Sequence, residues 1–139
     1  MKDKTFENKI VLITAGSKGI GFAVAKEFLK CGAKVTISSR NISNLKNAKK
    51  ALIKIAAKDK ILIIKHDLND VKNIKKLFNK TERYFKNSVD ILVNNSGGPA
   101  PKFISEITAK DWEKSLNINF KSAIYSSTIA LNKMKKRMG

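Results

Sequence analysis

The chain has 139 residues, of which 42% are hydrophobic, so it is long and apolar enough to bury the core of one domain. Its longest apolar runs are the length of strands, which argues against a membrane-spanning helix. The formal charge of +18 suggests nucleic acid or an anionic membrane as a partner, but only three of the 29 basic residues are arginines. The lysines are spread over every segment, without the clustered arginines and aromatic residues of base-reading surfaces. We therefore interpret the high positive charge as a drift in amino-acid composition and not as a nucleic-acid-binding surface.

The N-terminal segment and the cysteine and histidine counts indicate the cellular compartment and exclude some kinds of site. The N-terminal segment MKDKTFENKI carries acidic residues and lacks the apolar core of a secretion signal. The single cysteine, Cys31, cannot form a disulfide within the chain, which fits a reducing compartment. We therefore expect a cytoplasmic protein. Because His66 is the only histidine, we expect neither a zinc site nor a histidine-based catalytic triad.

Strand and helix patterns alternate along the chain. Short β-branched runs predict strands at residues 9–14, 34–39, 60–65 and 88–93. Helical spacing predicts helices over 19–29, 43–57 and 71–85, the first with Ile20, Val24 and Phe28 on one apolar face. Gly32 is predicted to close that first helix in the left-handed conformation. Thr108 and Asp111 have the spacing of a capping box, so a long helix is expected from there to residue 134 or beyond.

This order of elements predicts the fold class. Strands and helices alternate without a linker or an internal repeat, which indicates one domain over residues 1–139. We expect an α/β, Rossmann-type, doubly wound parallel sheet that stops after the fourth strand and the long helix that follows it.

A glycine-rich turn joins the first strand to the first helix, with the sequence Thr14-Ala15-Gly16-Ser17-Lys18-Gly19-Ile20-Gly21. Such a turn lets backbone N–H groups and the helix dipole bind a pyrophosphate, and its position between a strand and a helix favours a dinucleotide site over a purely structural turn. It resembles the T-G-x-x-x-G-x-G turn of the short-chain dehydrogenase/reductase family. Ala15 replaces the first glycine of that pattern, and alanine is disfavoured where φ must be positive.

The end of the second strand indicates which nicotinamide cofactor is bound. NAD-selective folds place an acid there to bind the ribose 2′-hydroxyl, whereas this chain has Ser39 and Arg40. Arginine can bind a 2′-phosphate with two hydrogen bonds, and Lys18 could add a second positive charge. The alternative is a solvated arginine beside one of many scattered lysines. The family resemblance likewise implies NADP(H), with NAD the less favoured cofactor.

Three further segments extend the resemblance. Asp67 and Leu68 resemble the family segment that contacts adenine, although Asp67 could also cap a helix. The run Asn94-Asn95-Ser96-Gly97 resembles the N-N-A-G turn after the fourth strand, with serine in place of alanine. Asn119, just before Phe120, resembles the catalytic asparagine that anchors a proton-relay water in this family. The alternative for Asn119 is an exposed polar helix face.

The family's remaining catalytic groups are expected beyond this sequence. They are a serine after the fifth strand and a Tyr-x-x-x-Lys pair, and neither Tyr84 nor Tyr125 is followed by lysine at that spacing. The resemblance thus implies the cofactor-binding front part of an oxidoreductase that transfers hydride between NADP(H) and a carbonyl or alcohol substrate, similar to 3-oxoacyl-(acyl-carrier-protein) reductases. We expect no turnover from the chain as given.

The long helix from Asp111 resembles the one that pairs with its own copy in this family, so we expect a homo-oligomer. Apolar side chains on that helix would have little to cover them in a monomer, namely Ile118, Phe120, Ile124, Ile129 and Leu131. The fourth strand would also be left as an exposed edge. A non-catalytic cofactor-binding or dimer-partner module is the alternative function, and a basic nucleic-acid-binding protein is a less favoured one.

Overall fold

A computed structural model describes residues 3–138 of the chain. The domain predicted over residues 1–139 also includes Met1, Lys2 and Gly139, which lie outside the described residues. The centre of the fold is a four-stranded sheet formed by β1 (Ile10–Ile13), β2 (Lys34–Ser39), β3 (Ile61–Lys65) and β4 (Ile91–Val93). All pairings are parallel and the strand order is β3-β2-β1-β4. The predicted Rossmann-type α/β fold is confirmed.

Helices cover both faces of the sheet. α1 (Gly19–Lys30) and α2 (Ile42–Leu52) pack on one face, and α3 (Lys75–Phe85) packs on the other. The long C-terminal helix comprises α4 (Ala109–Leu116), a π-helical turn (Asn117–Lys121) and α5 (Ser122–Arg137). Three short 3-10 turns, at Lys58–Lys60, Val71–Asn73 and Ile104–Glu106, complete the elements. Within residues 3–138, no helix combines the length and the apolar character needed to cross a bilayer.

Strand β1 shows why the sheet needs both helical layers. Its four residues are fully buried, because successive side chains point to opposite faces. Val11 and Ile13 join the core under α1 and α2, while Ile10 and Leu12 join the core under α3 and α5. A continuous apolar run in the sequence therefore becomes two separate cores.

Several predicted boundaries differ from the structure. The second helix ends at Leu52 and not at residue 57, because the chain turns there and brings Ile55 and Ala56 back against the core. The fourth strand begins at Ile91, since Asp90 is engaged in closing the start of β1. The long helix begins at Ala109 with the predicted capping box on Thr108 and Asp111.

Of the predicted apolar face of the first helix, Val24 and Phe28 pack against the core, and only Ile20 does not. Gly21, Ala25 and Leu29 are the buried residues of α1, whereas Ile20 is 78% exposed. Gly21 lies against the β1–α1 turn and Asn95, because only a glycine allows the helix to approach them so closely. Ile20 is thereby directed outward, to the edge of the cleft described below.

Candidate functional site

The carboxyl ends of the four strands open into one cleft of about 950 Å³. This is the edge where parallel α/β sheets place their ligands. Most of the predicted site residues line the cleft, namely Ser17, Lys18, Gly19, Ile20, Ser39, Arg40, Asp67, Leu68, Ser96, Gly97 and Asn119. Four others do not line it, namely Thr14, Gly16, Gly21 and Asn94. These four residues lie behind the cleft wall, where their packing or hydrogen bonds determine the shape of the cleft.

The glycines of the β1–α1 turn serve different purposes. A Cβ on Gly16 would lie 2.8 Å from Ile37, and one on Gly21 would lie 2.7 Å from the carbonyl oxygen of Ala15. Those two positions are therefore closed to larger residues by packing. Gly19 has a φ of 55° and open space in front of it, so its backbone is presented to the cleft. The turn is a cradle of backbone into which a pyrophosphate would fit.

Ala15 adopts the strained conformation that the sequence pattern implied. Its φ of 50° lies in the left-handed region, where alanine is disfavoured relative to glycine. This positive φ explains why the family pattern has glycine at the position that Ala15 occupies in this chain. The turn keeps its shape because Asn95 Nδ2 donates to the Ala15 carbonyl at 3.1 Å.

The paired asparagines after β4 point in opposite directions. Asn95 lines the cleft and binds the β1–α1 turn. Asn94 instead faces α5, where its Oδ1 accepts from Ser126 Oγ at 2.6 Å and its Nδ2 donates to Ser127 Oγ at 2.9 Å. These bonds do not favour the predicted role of Asn94 as a direct contact of the cofactor. Neighbouring residues on an extended backbone alternate in direction, and the sequence alone does not say which one faces the cleft.

Two basic side chains flank the end of β2. Arg40 and Lys18 both line the cleft, and among residues 3–138 neither takes part in an ion pair. Asn41 caps α2 by accepting from the Asn44 N–H at 3.0 Å, so the positive end of the α2 dipole also lies here. This corner of the cleft is suited to an anion.

Asp67 and Leu68 form the next part of the wall. Asp67 does not cap a helix; its Oδ1 accepts from the Asn69 N–H at 2.9 Å in a local turn. Leu68 is buried and supplies an apolar surface. His66 also lines the cleft, a position that the sequence did not predict for it. Burial lowers the pKa of its imidazole, against the opposing effect of Asp70 and Asp67, and so favours the neutral ring.

Asn119 lies in the π-helical turn Asn117–Lys121 and faces the loop after β4. Its Oδ1 accepts from Ser96 Oγ at 2.7 Å, and its Nδ2 donates to the carbonyl oxygen of Ser115 at 3.1 Å. π-Helical turns inside α-helices are frequent at functional sites. Asn119 is exposed, as the polar-face interpretation expects, but it also lines the cleft and its side chain is held there by hydrogen bonds.

The loop over the far end of the cleft is fastened to α4. Lys102 Nζ lies 3.0 Å from Asp111 Oδ2, which also accepts from the Thr108 backbone N–H at 3.0 Å. The Thr108 backbone N–H, the Lys102 ammonium and the Thr108 hydroxyl lower the pKa of the Asp111 carboxyl to about 2. Asp111 is thus ionised throughout the ordinary pH range.

Comparison with known proteins agrees with this arrangement. Residues 9–139 match the family model described as short chain dehydrogenase. An NADP-dependent (R)-specific alcohol dehydrogenase of Lentilactobacillus kefiri is 32% identical over 131 residues, which are 94% of this chain and 50% of that protein. The human 15-hydroxyprostaglandin dehydrogenase, named for NAD(+), is 34% identical over 131 residues, 94% of this chain and 46% of that protein.

Solved structures give the same result. An L-sorbose reductase from Gluconobacter frateurii, crystallised with NADPH and L-sorbose, superposes with a TM-score of 0.83 at 26% identity over 97% of this chain and 51% of that one. A short-chain dehydrogenase/reductase from Brucella melitensis gives 0.82 at 26% identity over 95% of this chain and 54% of that one. The chain spans about half the length of the curated relatives that it matches. The sequence match and the shared fold together show that this chain belongs to the short-chain dehydrogenase family.

Proposed function

We propose that the cleft binds NADP(H) and that the chain is the cofactor-binding part of an oxidoreductase acting on a carbonyl or alcohol substrate. The observation that carries the choice of cofactor is the end of β2, where Arg40 follows Ser39 and no acid is present. A carboxylate there would favour a free ribose 2′-hydroxyl, whereas the positive charges of Arg40 and Lys18 favour a 2′-phosphate. The relatives include an enzyme named for NADP and one named for NAD, so the distinction rests on these side chains.

The remaining residues have separate parts in this proposal. Ser17, Gly19 and Ile20 present backbone to the pyrophosphate at the start of α1. Asp67 and Leu68 border the adenine, while Ser96, Gly97 and Asn119 border the nicotinamide half. Thr14, Gly16, Gly21 and Asn94 act behind these as supports. When bound, the cofactor would supply or accept the hydride.

Asn119 is the catalytic candidate within this chain. The family resemblance assigns to this position an asparagine that anchors a proton-relay water. Its support here is the pair of hydrogen bonds that hold the side chain at the cleft. The substrate belongs to the whole protein, and a 3-oxoacyl thioester is the class that the resemblance favours.

Replacement of Arg40 tests the proposed cofactor. R40A should weaken NADPH binding by about 10- to 100-fold, because a charged hydrogen bond to the 2′-phosphate is lost, and should change NADH binding by no more than about twofold. The enhancement of nicotinamide fluorescence on binding measures both affinities. R83A is the matched control, since Arg83 is an exposed arginine on α3 that does not line this cleft. Equal losses for NADPH and NADH in R40A, or no loss at all, would contradict the assignment.

A further inference from the structure

Ser96 and Asn119 connect two parts of the cleft that are 23 residues apart in the sequence. Ser96 belongs to the loop after β4, and Asn119 belongs to the π-helical turn before α5. The hydroxyl of Ser96 donates to Asn119 Oδ1 at 2.7 Å. Ser96 stands where the N-N-A-G turn of the family has alanine, a residue that cannot form this bond. The contact is therefore a property of this chain.

The amide of Asn119 is fixed from both ends. Its oxygen accepts from Ser96, while Nδ2 donates to the Ser115 carbonyl at 3.1 Å and to Ser115 Oγ at 3.2 Å. Since an asparagine amide has an acceptor on one side and a donor on the other, these partners determine which way it faces. Ser115 and Asn119 are one helical turn apart, so only Ser96 comes from outside the helix.

The bond to Asn119 determines whether the Ser96 hydroxyl can donate or accept a hydrogen bond in the cleft. A serine hydroxyl has one proton and two lone pairs. Asn119 Oδ1 can only accept, so the bond between them must use the proton of Ser96. What Ser96 can offer to a ligand is then lone pairs alone. Its side chain, like those of Ser115 and Asn119, borders the cleft.

We propose that Ser96 is a binding residue of fixed polarity, which accepts a hydrogen bond from a hydroxyl or amide N–H on the nicotinamide-ribose half of the dinucleotide while its own proton holds Asn119. This inference rests on the proposed cofactor site. Ribose hydroxyls and the carboxamide of the nicotinamide are the donors that this half of the molecule carries. An alanine at this position would neither accept that bond nor hold Asn119.

Two nucleotides separate the contribution of Ser96 from that of the rest of the site. S96A should weaken NADPH binding by about three- to tenfold, because one neutral hydrogen bond is lost. Binding of 2′,5′-ADP, which lacks the nicotinamide half, should change by no more than about twofold, and S96T should restore NADPH binding. S127A is the matched control, because Ser127 Oγ also links the loop after β4 to α5 but lies outside the cleft. Calorimetric titration of the full chain measures all of these affinities.

The side-chain amide of Asn119 provides a second readout without any ligand. Its resonances, assigned by their absence from N119D, should shift in S96A and return in S96T. If they stay in place in S96A, or if S96A weakens NADPH and 2′,5′-ADP equally, the role given to Ser96 is overturned. If the unmodified chain binds neither nucleotide, the proposed cofactor site fails, and the amide resonances alone then decide whether Ser96 holds Asn119.

Discussion

Thr14 and Asn95 close the end of β1 against the end of β4 through two hydrogen bonds that share one hydroxyl. Thr14 Oγ1 donates to the Asn95 carbonyl at 2.6 Å and accepts from the Asn95 N–H at 2.9 Å. The hydroxyl therefore pairs both backbone groups of a residue 81 positions away. Thr14, which matches the threonine of the family's turn, thus links the ends of two strands in this chain. It also holds Asn95 where that residue can bind the Ala15 carbonyl.

Removing the hydroxyl of Thr14 should destabilise the fold. T14V keeps the shape of the side chain but leaves the N–H and C=O of Asn95 without their partner, at a site where Thr14 is only 3% exposed. We expect a loss of about 1–3 kcal/mol in the free energy of unfolding, measured by urea denaturation. T128V is the control, because the Thr128 hydroxyl bonds only within its own helix and is exposed; it should change stability by less than about 0.5 kcal/mol. Equal effects of the two variants would contradict this role.

Gly21 should not tolerate even a methyl group. A Cβ there would lie 2.6 Å from Asn95 Nδ2 and 2.7 Å from the Ala15 carbonyl oxygen, and the second of these is backbone. G21A should therefore cost about 1–3 kcal/mol of stability, through displacement of the β1–α1 turn, and should weaken dinucleotide binding as well. G98A provides the comparison, since nothing lies within 4 Å of the Cβ it would add. A G21A protein as stable as G98A in thermal denaturation would show that the turn is not so closely packed.

Asp90 makes the stability of the fold dependent on pH. Its Oδ2 accepts from the Ile10 N–H at 2.8 Å and its Oδ1 lies 2.8 Å from Arg137. Burial by itself raises the pKa of this carboxyl, but the Ile10 N–H, the Arg137 guanidinium and the charge of Lys9 together lower it below its usual value. Because the folded pKa lies below the unfolded one, the stabilisation is present above about pH 4 and is lost as the pH falls through the folded pKa.

D90N tests this linkage. It should lower the free energy of unfolding at pH 7 by about 1–2 kcal/mol, since a charged acceptor of two hydrogen bonds is neutralised. The difference from the unmodified chain, measured again at an acid pH where the aspartate is itself becoming protonated, should be smaller. E27Q, which affects the exposed Glu27–Lys30 pair, should have an effect below about 0.5 kcal/mol. A difference between D90N and the unmodified chain that is the same at both pH values would argue against the ionised Asp90 as the cause.

The parts of the fold that follow from local rules could be predicted from the sequence. The capping box on Thr108 and Asp111 is present with both of its hydrogen bonds, because it depends on residues three positions apart. Gly32 has a φ of 90°, as a helix-closing glycine requires. The four strands were recognisable because a parallel sheet buried on both faces needs continuous apolar runs.

The features that the sequence did not predict depend on contacts between distant residues. The π-helical turn over Asn117–Lys121 leaves no mark in the helical spacing, and its Asn119 is held by a residue of another loop. The choice between Asn94 and Asn95 depends on which of them meets the β1–α1 turn. The outward direction of Ile20 follows from the close approach of Gly21 to the β1–α1 turn and Asn95, which the periodicity of the sequence does not reveal.

The long C-terminal helix carries an apolar stripe that predicts self-association. Leu116, Phe120, Ile124 and Leu131 recur at helical spacing and are each about half exposed, at 52%, 58%, 49% and 55%. Of the five residues expected to be uncovered, Ile118 and Ile129 are the exceptions, because Ile118 is partly buried and lines the cleft and Ile129 packs on the core shared with α3 and β1. A continuous stripe of this kind is typical of a surface that pairs with another copy or another protein.

Charges placed on the stripe should prevent this association. We expect the unmodified chain to sediment as a dimer or larger species, and the double variant I124E/L131E to sediment as a monomer, because two buried carboxylates facing their copies would repel and lose solvation. Y84E is the control, since Tyr84 is 44% exposed on α3, outside the stripe. Circular dichroism would verify that the double variant keeps its helices. A monomeric unmodified chain at all concentrations, or a double variant that associates as strongly as Y84E, would show that the stripe is not the interface.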